Sequence, residues 1–425
     1  MKKHLKYVVP ILFMIMILFV SVSYIAVEDK ESFPEENRNA QQFPSVSPES
    51  IFSGEFTSGM IKYMNDQFPF RNAFMKIGNK FNDFMHFDVT VGDGATIEKT
   101  SANAGGGAGE RLGAQDVEFT SKEIVEENPG GTTLVIDEGR AMEYYGFDET
   151  FVSSYADVLN RYAAELDGVN VYSLVVPTSG EFYLPDTLRT DKTSQKIAID
   201  SIYSKTSDGV IRVDVYPGLE NQAKNKDNYI YFKTDHHWTA KGAYEGYSAF
   251  CNAAGLDAVP LENMPTAYVE EDFYGSFTKI TSNKDVTENP DHIEYYLQPE
   301  TEDVTAFTDL DMAQSYDTDL FVTWNLGEAQ NKYLVFLGGD HPLTRIVTKA
   351  DNDKTLVIIK DSFGNALTPF FVNHYKTIYV IDPRTAHGDI REFCKEHNVD
   401  DLLVETYTFA LSTDGARQLL ETLIQ

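Results

Sequence analysis

The sequence is poor in cysteine, in tryptophan and in positive charge. Two cysteines in 425 residues, Cys251 and Cys394, do not make a disulfide framework, although they remain free to pair if the fold brings them together. Neither belongs to a CxxC or Cys/His spacing, which argues against a structural zinc site; two buried apolar thiols is the simpler expectation. Lys and Arg total 35 against 66 Asp and Glu, a formal net charge of -31. A surface that acidic repels phosphate backbones and anionic lipid head groups, so nucleic acid is a poor partner. There is no evident internal repeat, no cofactor motif and no G-x-S-x-G. Apolar and aromatic side chains are plentiful instead, with 24 tyrosines and 28 phenylalanines, enough for a sizeable packed core.

The N-terminus sets the expected compartment. Lys2, Lys3 and Lys6 precede an uncharged apolar run from Tyr7 to Val27, closed by Glu28, Asp29 and Lys30. About twenty apolar residues match the thickness of a bilayer, and lysines on the N-terminal side place that end in the cytoplasm. The expectation is a cytoplasmic stub and transmembrane anchor over residues 1–27, with the rest outside the cytoplasm at the cell membrane. A cleaved signal peptide would have a shorter apolar core and a small-x-small site. Tyr24, two residues before Ala26, is too bulky for that site, although Ser21 and Ser23 fit it. Either reading exports the protein.

Beyond the anchor, the prolines of 28–50 read as a juxtamembrane spacer. Residues 51–130 read as a helical N-terminal segment, with Phe74, Ile77, Phe81 and Phe84 at helical spacing, followed by the flexible Gly/Ala-rich stretch 101–113. From residue 131 to 425 the pattern is α/β. TTLVID, VNVYSLVV, TLVIIK, TIYVID and DLLVETY read as strands. The segments 153–166, TAKGAYEGYSAFCNAA (closed by Gly255), NALTPFFVNHY and REFCKEHN read as helices. The order implies a mostly parallel sheet covered on both faces. Residues 260–330, acidic with short alternating runs, read as a β-rich insertion.

Two short stretches carry chemistry. In Thr234-Asp235-His236-His237-Trp238 an Asp-x-His pair lets a carboxylate orient an imidazole, fix its tautomer and stabilise imidazolium. The alternatives are a helix cap with satisfied histidines, or a metal site, although adjacent histidines in a short loop rarely chelate one ion. In Lys360-Asp361-Ser362-Phe363-Gly364 a serine ends a buried strand, where α/β folds place reactive groups, just ahead of a helix. Alone it reads more readily as an N-cap. Together the stretches offer a nucleophile, a base and an orienting acid.

These stretches resemble the DHHW family, related to the alginate O-acetyltransferase group of SGNH-hydrolase-like proteins. Supporting fragments are D-Q-F-P-F-R (66–71), V-V-P-T-S-G-E-F-Y-L-P (175–185), D-F-Y-G-S (272–276) and I-D-P-R (381–384). The resemblance implies an SGNH-like three-layer α/β/α domain in which acid and base precede the serine in the chain, a circularly permuted motif order. It implies Ser362 as nucleophile, His237 as base and Asp235 as its orienter. The Ser362 N–H, Gly339 and Asn365 are the candidate oxyanion donors, with Asp361, His236 and Trp238 supporting or shaping the site. The expected activity is O-acyl, chiefly acetyl, transfer to a cell-envelope or exported polysaccharide. The reverse chemistry, an SGNH-type carbohydrate esterase, or a non-catalytic glycan-binding scaffold are the alternatives. Because acyl-CoA is cytoplasmic, the expected acyl donor is a multi-spanning membrane acyltransferase; no cofactor is expected.

Overall fold

The computed structural model describes residues 133–269, 272–323 and 331–424, with short pieces ahead of them at 32–33, 38–39, 43, 60, 63 and 124–127. The apolar run 7–27, the helix expected over 74–87 and the stretch 101–113 lie outside the described residues. Among the described residues no helix is long and apolar enough to cross a membrane. The chain divides into two units, Met1–Thr90 and Val91–Gln425, and the elements that follow belong to the second.

TTLVID does form a strand, but outside the main sheet. Strands β1 (Ile124–Glu127), β2 (Thr133–Asp137) and β3 (Arg140–Glu143) make a separate antiparallel sheet. The cause is local. Glu138 and Gly139 both have positive φ (47° and 73°), the two-residue turn that returns β2 directly on itself as a hairpin. A strand committed to a hairpin at that end has no crossover helix with which to enter a parallel sheet.

The main sheet has eight strands. In chain order they are β4 (Asn170–Val176), β5 (Val210–Val213), β8 (Asp303–Phe307), β9 (Ser315–Asp317), β10 (Leu343–Val347), β11 (Thr355–Ile359), β12 (Thr377–Ile381) and β13 (Asp401–Tyr407). Between β5 and β8 the short pair β6 (Thr266–Tyr268) and β7 (Glu294–Tyr296) forms its own antiparallel ribbon. The spatial order is β9-β8-β10-β12-β11-β13-β4-β5. From β12 through β5 the pairing is parallel; β10, β8 and β9 extend that edge antiparallel. The segment 260–330 is therefore not wholly an insertion, since its last two strands enlarge the sheet.

The inner parallel strands β4, β11, β12 and β13 are buried on both faces, which is why they read as largely apolar runs. Leu356 and Ile358 of β11 point into one core, Val357 and Ile359 into the other. Helices α1 (Glu149–Glu165) and α2 (Gln195–Lys205) pack into the second core. α1 is capped by Asp148, whose side chain accepts from the Thr150 N–H at 2.7 Å, and buries Val152, Tyr155, Leu159 and Tyr162 at three- and four-residue spacing. Helix α3 (Ala240–Ala254) covers the opposite face, capped by Thr239 and stopped by Gly255 at φ 68°. NALTPFFVNHY is shorter as an α-helix than expected: Gly364–Leu367 is α and Thr368–Asn373 tightens to 3₁₀, with Pro369 supplying no N–H. Two C-terminal helices, α4 (Ile390–Glu396) and α5 (Gly415–Thr422), close the second core. Cys251 and Cys394 are both buried and free, in cores on opposite sides of the sheet.

Candidate active site

The Thr234–Trp238 stretch is a loop pinched at its base and clamped from the side. Trp238 and Tyr231 form a β-bridge, and the Thr239 N–H donates to the Ile230 carbonyl at 3.0 Å. The clamp comes from between β6 and β7. The buried Asp291 carboxylate accepts from the Thr234 N–H (2.7 Å), the Thr234 hydroxyl (2.6 Å), the Lys233 N–H (3.0 Å) and the Tyr229 hydroxyl. Gly275 lies flat against the same loop. A Cβ there would meet Asp235 Cβ at 2.4 Å and the Thr234 carbonyl oxygen at 2.5 Å. That contact lets the next residue donate its N–H to Asp235 Oδ2 at 2.7 Å.

The loop aims a hydrogen-bonded chain at Ser362. Asp235 Oδ1 lies 2.6 Å from His237 Nδ1, and His237 Nε2 lies 2.7 Å from Ser362 Oγ. The His237 N–H also donates to Asp235 Oδ1 at 3.0 Å. Burial alone would raise the Asp235 carboxyl, but the charges of His237 and His236 and the N–H donors outweigh it and hold it well below the usual carboxylate range. An ionised Asp235 accepting at Nδ1–H leaves Nε2 as the lone-pair nitrogen facing the serine hydroxyl. Tyr333 lies under the imidazole, ring centroids 4.0 Å apart and planes 11° apart, and donates its hydroxyl to the Ser362 carbonyl at 3.2 Å. Trp238 is fully buried beneath the serine turn, its indole N–H donating to the Phe363 carbonyl at 2.9 Å.

His236 points elsewhere. Its Nδ1 lies 2.9 Å from Ser276 Oγ and its ring centroid 3.8 Å from that of His237; burial, then the neighbouring imidazole, keep it less basic than an ordinary histidine. Asp235, His236 and His237 each bring one ligand-type atom within 4.8 Å of the others, so the cluster also has the composition of a cation site. Both ring nitrogens of His237 are nevertheless engaged, one with Asp235 and one with Ser362.

Ser362 sits in the turn after β11. Asp361 braces that turn, accepting from the Phe363 N–H at 2.9 Å and the Tyr407 N–H at 2.8 Å; burial pushes its carboxyl up to about 6 against those donors. Among the described residues the Ser362 N–H has no acceptor. The other two expected oxyanion donors are occupied. The Gly339 N–H donates to the Phe336 carbonyl at 3.1 Å within its own turn. The Asn365 amide is fully buried and donates to Asp340 at 2.8 Å. Asp340 in turn binds Lys360 (2.6 Å) and Arg384 (2.7 Å), an ionic cluster supporting the Lys360–Gly364 turn from behind. Beside Ser362 and His236 opens a cavity of about 300 Å³.

Sequence reasoning singled out neither Tyr333 nor Asp291. One tyrosine among 24 carries no local signal, and an aspartate in a loop looks like any other acid. Gly275 and Ser276 fall within a noted fragment, but nothing in it shows that they touch Asp235.

A serine hydroxyl, an imidazole and a buried carboxylate thus lie in line at the strand ends of a mixed α/β sheet. The chain belongs to the DHHW protein family, whose model matches residues 118–381. It is similar to a DHHW family protein from Eubacterium siraeum DSM 15702 at 32% identity, covering 71% of this chain and 99% of that one, with a TM-score of 0.61. Bacillus cereus PatB1, solved with a sulfonyl adduct, matches at 19% identity over 69% of this chain and 99% of its own, TM-score 0.58. The O-acetyltransferase domain of Pseudomonas putida AlgJ matches at 14% identity, 70% and 99% coverage, TM-score 0.38. No curated protein matches the chain.

Proposed function

We propose that the protein is an O-acyltransferase of the SGNH type that moves an acyl group, acetyl being the smallest, onto a cell-envelope or exported polysaccharide. The single observation that carries this is the 2.6 Å and 2.7 Å relay from Asp235 through His237 to Ser362. His237 Nε2 takes the Ser362 proton as Oγ forms a bond to the acyl carbon. The carbonyl electrons move onto oxygen, and the Ser362 N–H is the donor positioned for that oxyanion. The imidazolium, held by Asp235, returns its proton to the leaving donor, and acyl-Ser362 remains. A sugar hydroxyl then gives its proton to His237 and attacks the same carbon, and Ser362 Oγ leaves with the proton. Tyr333 keeps the imidazole in plane throughout, and Trp238 and Asp361 hold the serine turn.

In this proposal the apolar run 7–27 anchors the chain in the cell membrane with the catalytic unit outside the cytoplasm, and a multi-spanning membrane acyltransferase supplies the acyl group. A sulfonyl adduct on PatB1 accords with an activated nucleophile in a protein of this fold. The test uses the full-length chain with an activated acetyl ester and a panel of oligosaccharides, followed by mass spectrometry. An acyl-enzyme absent in Ser362→Ala, with acetylated sugar formed faster than free acetate, is the expected result. Acyl-enzyme that decays only to acetate with every acceptor makes the protein an esterase. No acylation of a folded wild type removes the proposal altogether.

A further inference from the structure

The cavity beside Ser362 is larger than an acetyl group requires. Its volume of about 300 Å³ equals on the order of ten water molecules at about 30 Å³ each, of which the three heavy atoms of an acetyl fill roughly a third. Its position is set by the C-terminal ends of β11 and β13 on one side and by α5 on the other. Ile359 closes the strand side, with Ala410, Ala416, Leu419 and Leu420 opposite. On α5 the residues Ala416, Leu419 and Leu420 follow the i, i+3, i+4 spacing of one helix face. Ala416, the smallest of the three, lines the cavity together with the two leucines, and its short side chain leaves room there.

Most of the polar groups around the cavity are already committed. Lys360 and Arg384 meet Asp340 at 2.6 Å and 2.7 Å, and Arg384 meets Asp382 at 2.5 Å. Thr406 Oγ1 accepts from the Tyr155 hydroxyl at 2.9 Å. Glu405 is 1% exposed, and burial, then the charge of Asp361, push its carboxyl well above the usual carboxylate range. A sugar ring in this space would bring several hydroxyls to a wall with few free partners, and a hydroxyl buried without one is unfavourable. A hydrocarbon chain brings none.

We infer that this cavity receives the acyl chain of the acyl-enzyme and that the protein accepts chains of roughly four to eight carbons, longer than acetyl. The inference rests on the acyl-transfer reading above and names the acyl group for that same site. Chain length is then set by Ala416 and Ala410, and the glycan approaches Ser362 from outside the cavity.

The experiment uses the full-length chain with p-nitrophenyl acetate, butyrate, hexanoate and octanoate. Acylation releases p-nitrophenol while the acyl group stays on Ser362, so release is followed by absorbance and the acyl-enzyme by mass. The longer esters should acylate at least as fast as acetate. Ala416→Leu, compatible with its helix, should lower the hexanoate-to-acetate ratio of kcat/KM at least tenfold; Ala410→Leu carries the same expectation from the other wall should the first variant fail to fold. Wild type acylated by acetate but tenfold more slowly by butyrate and longer esters overturns the inference and leaves acyl transfer standing. Variants that fold yet leave the ratio unmoved overturn it too. No acylation by any ester sinks the acyl-transfer reading itself.

Discussion

Asp235→Asn is the sharpest perturbation of the relay, because it keeps the shape of the side chain and changes only what it can accept. The native carboxylate serves three donors: Ser276 N–H on Oδ2, and His237 N–H and Nδ1 on Oδ1. Asparagine has one oxygen. If that oxygen keeps the Ser276 N–H, the amide NH₂ faces His237 Nδ1, which must then be the acceptor. The proton moves to Nε2, which donates to Ser362 Oγ and can no longer take its proton. If the amide turns over, Nδ1–H is kept but NH₂ meets the Ser276 N–H, a buried donor left unpaired at about 1–3 kcal/mol. Either way the imidazolium of the transition state loses its counter-charge. Acylation should fall about 10³- to 10⁴-fold, on the order of 4–5.5 kcal/mol of barrier. The assay is single-turnover acylation by an activated acetyl ester, with thermal melting alongside. A folded Asp235→Asn enzyme within tenfold of wild type refutes the proposed role of the relay.

Asp361 gives the protein a pH-dependent stability of definite sign. Its carboxyl titrates near 6 in the fold against an ordinary 3.8, so between those values the native state holds the extra proton and stability falls as pH rises. The whole effect is at most about 3 kcal/mol. Denaturant midpoints from pH 4 to 6.5 should decline in wild type with a shallower slope in Asp361→Asn; equal slopes contradict the assignment. Gly275→Ala tests the clamp on Asp235. Gly275 has a φ of -70°, open to any residue, so the damage is steric: a methyl would overlap Asp235 and Thr234. A loss of about 1–3 kcal/mol in stability, with acylation down at least tenfold, is expected from melting and ester assays.

The parallel strands and their order along the chain were legible because a strand buried on both faces leaves an apolar run, and β13 spans Asp401–Tyr407 as its run indicates. Ser362 and His237 were legible because a short loop rich in acid and imidazole, and a serine at a strand end, are chemically costly to place. The two oxyanion candidates failed for a physical reason. A backbone or amide donor is useful only if nothing nearby accepts from it, and sequence does not show that Phe336 and Asp340 already do. β10 lies in a polar-looking LTRIV stretch, since a strand antiparallel at the edge of a parallel block keeps Arg345 half-exposed, paired to Asp303 at 2.9 Å. Tyr333 was invisible because stacking on an imidazole depends on the fold alone.

The Asp291 clamp has an evolutionary and engineering consequence. The loop bearing Asp235 and His237 owes its shape to a carboxylate 57 residues further on, and to Gly275 and Ser276 between them. The segment between α3 and β8 is thus half of a mould rather than a detachable decoration. A chimera that exchanged this segment for that of a distant relative would leave Asp235, His237 and Ser362 in the chain and still lose their geometry, unless the donor segment arrived with its own glycine, amide and carboxylate in register. Diversification of this family by recombination should respect that seam, with loop and clamp inherited as one block.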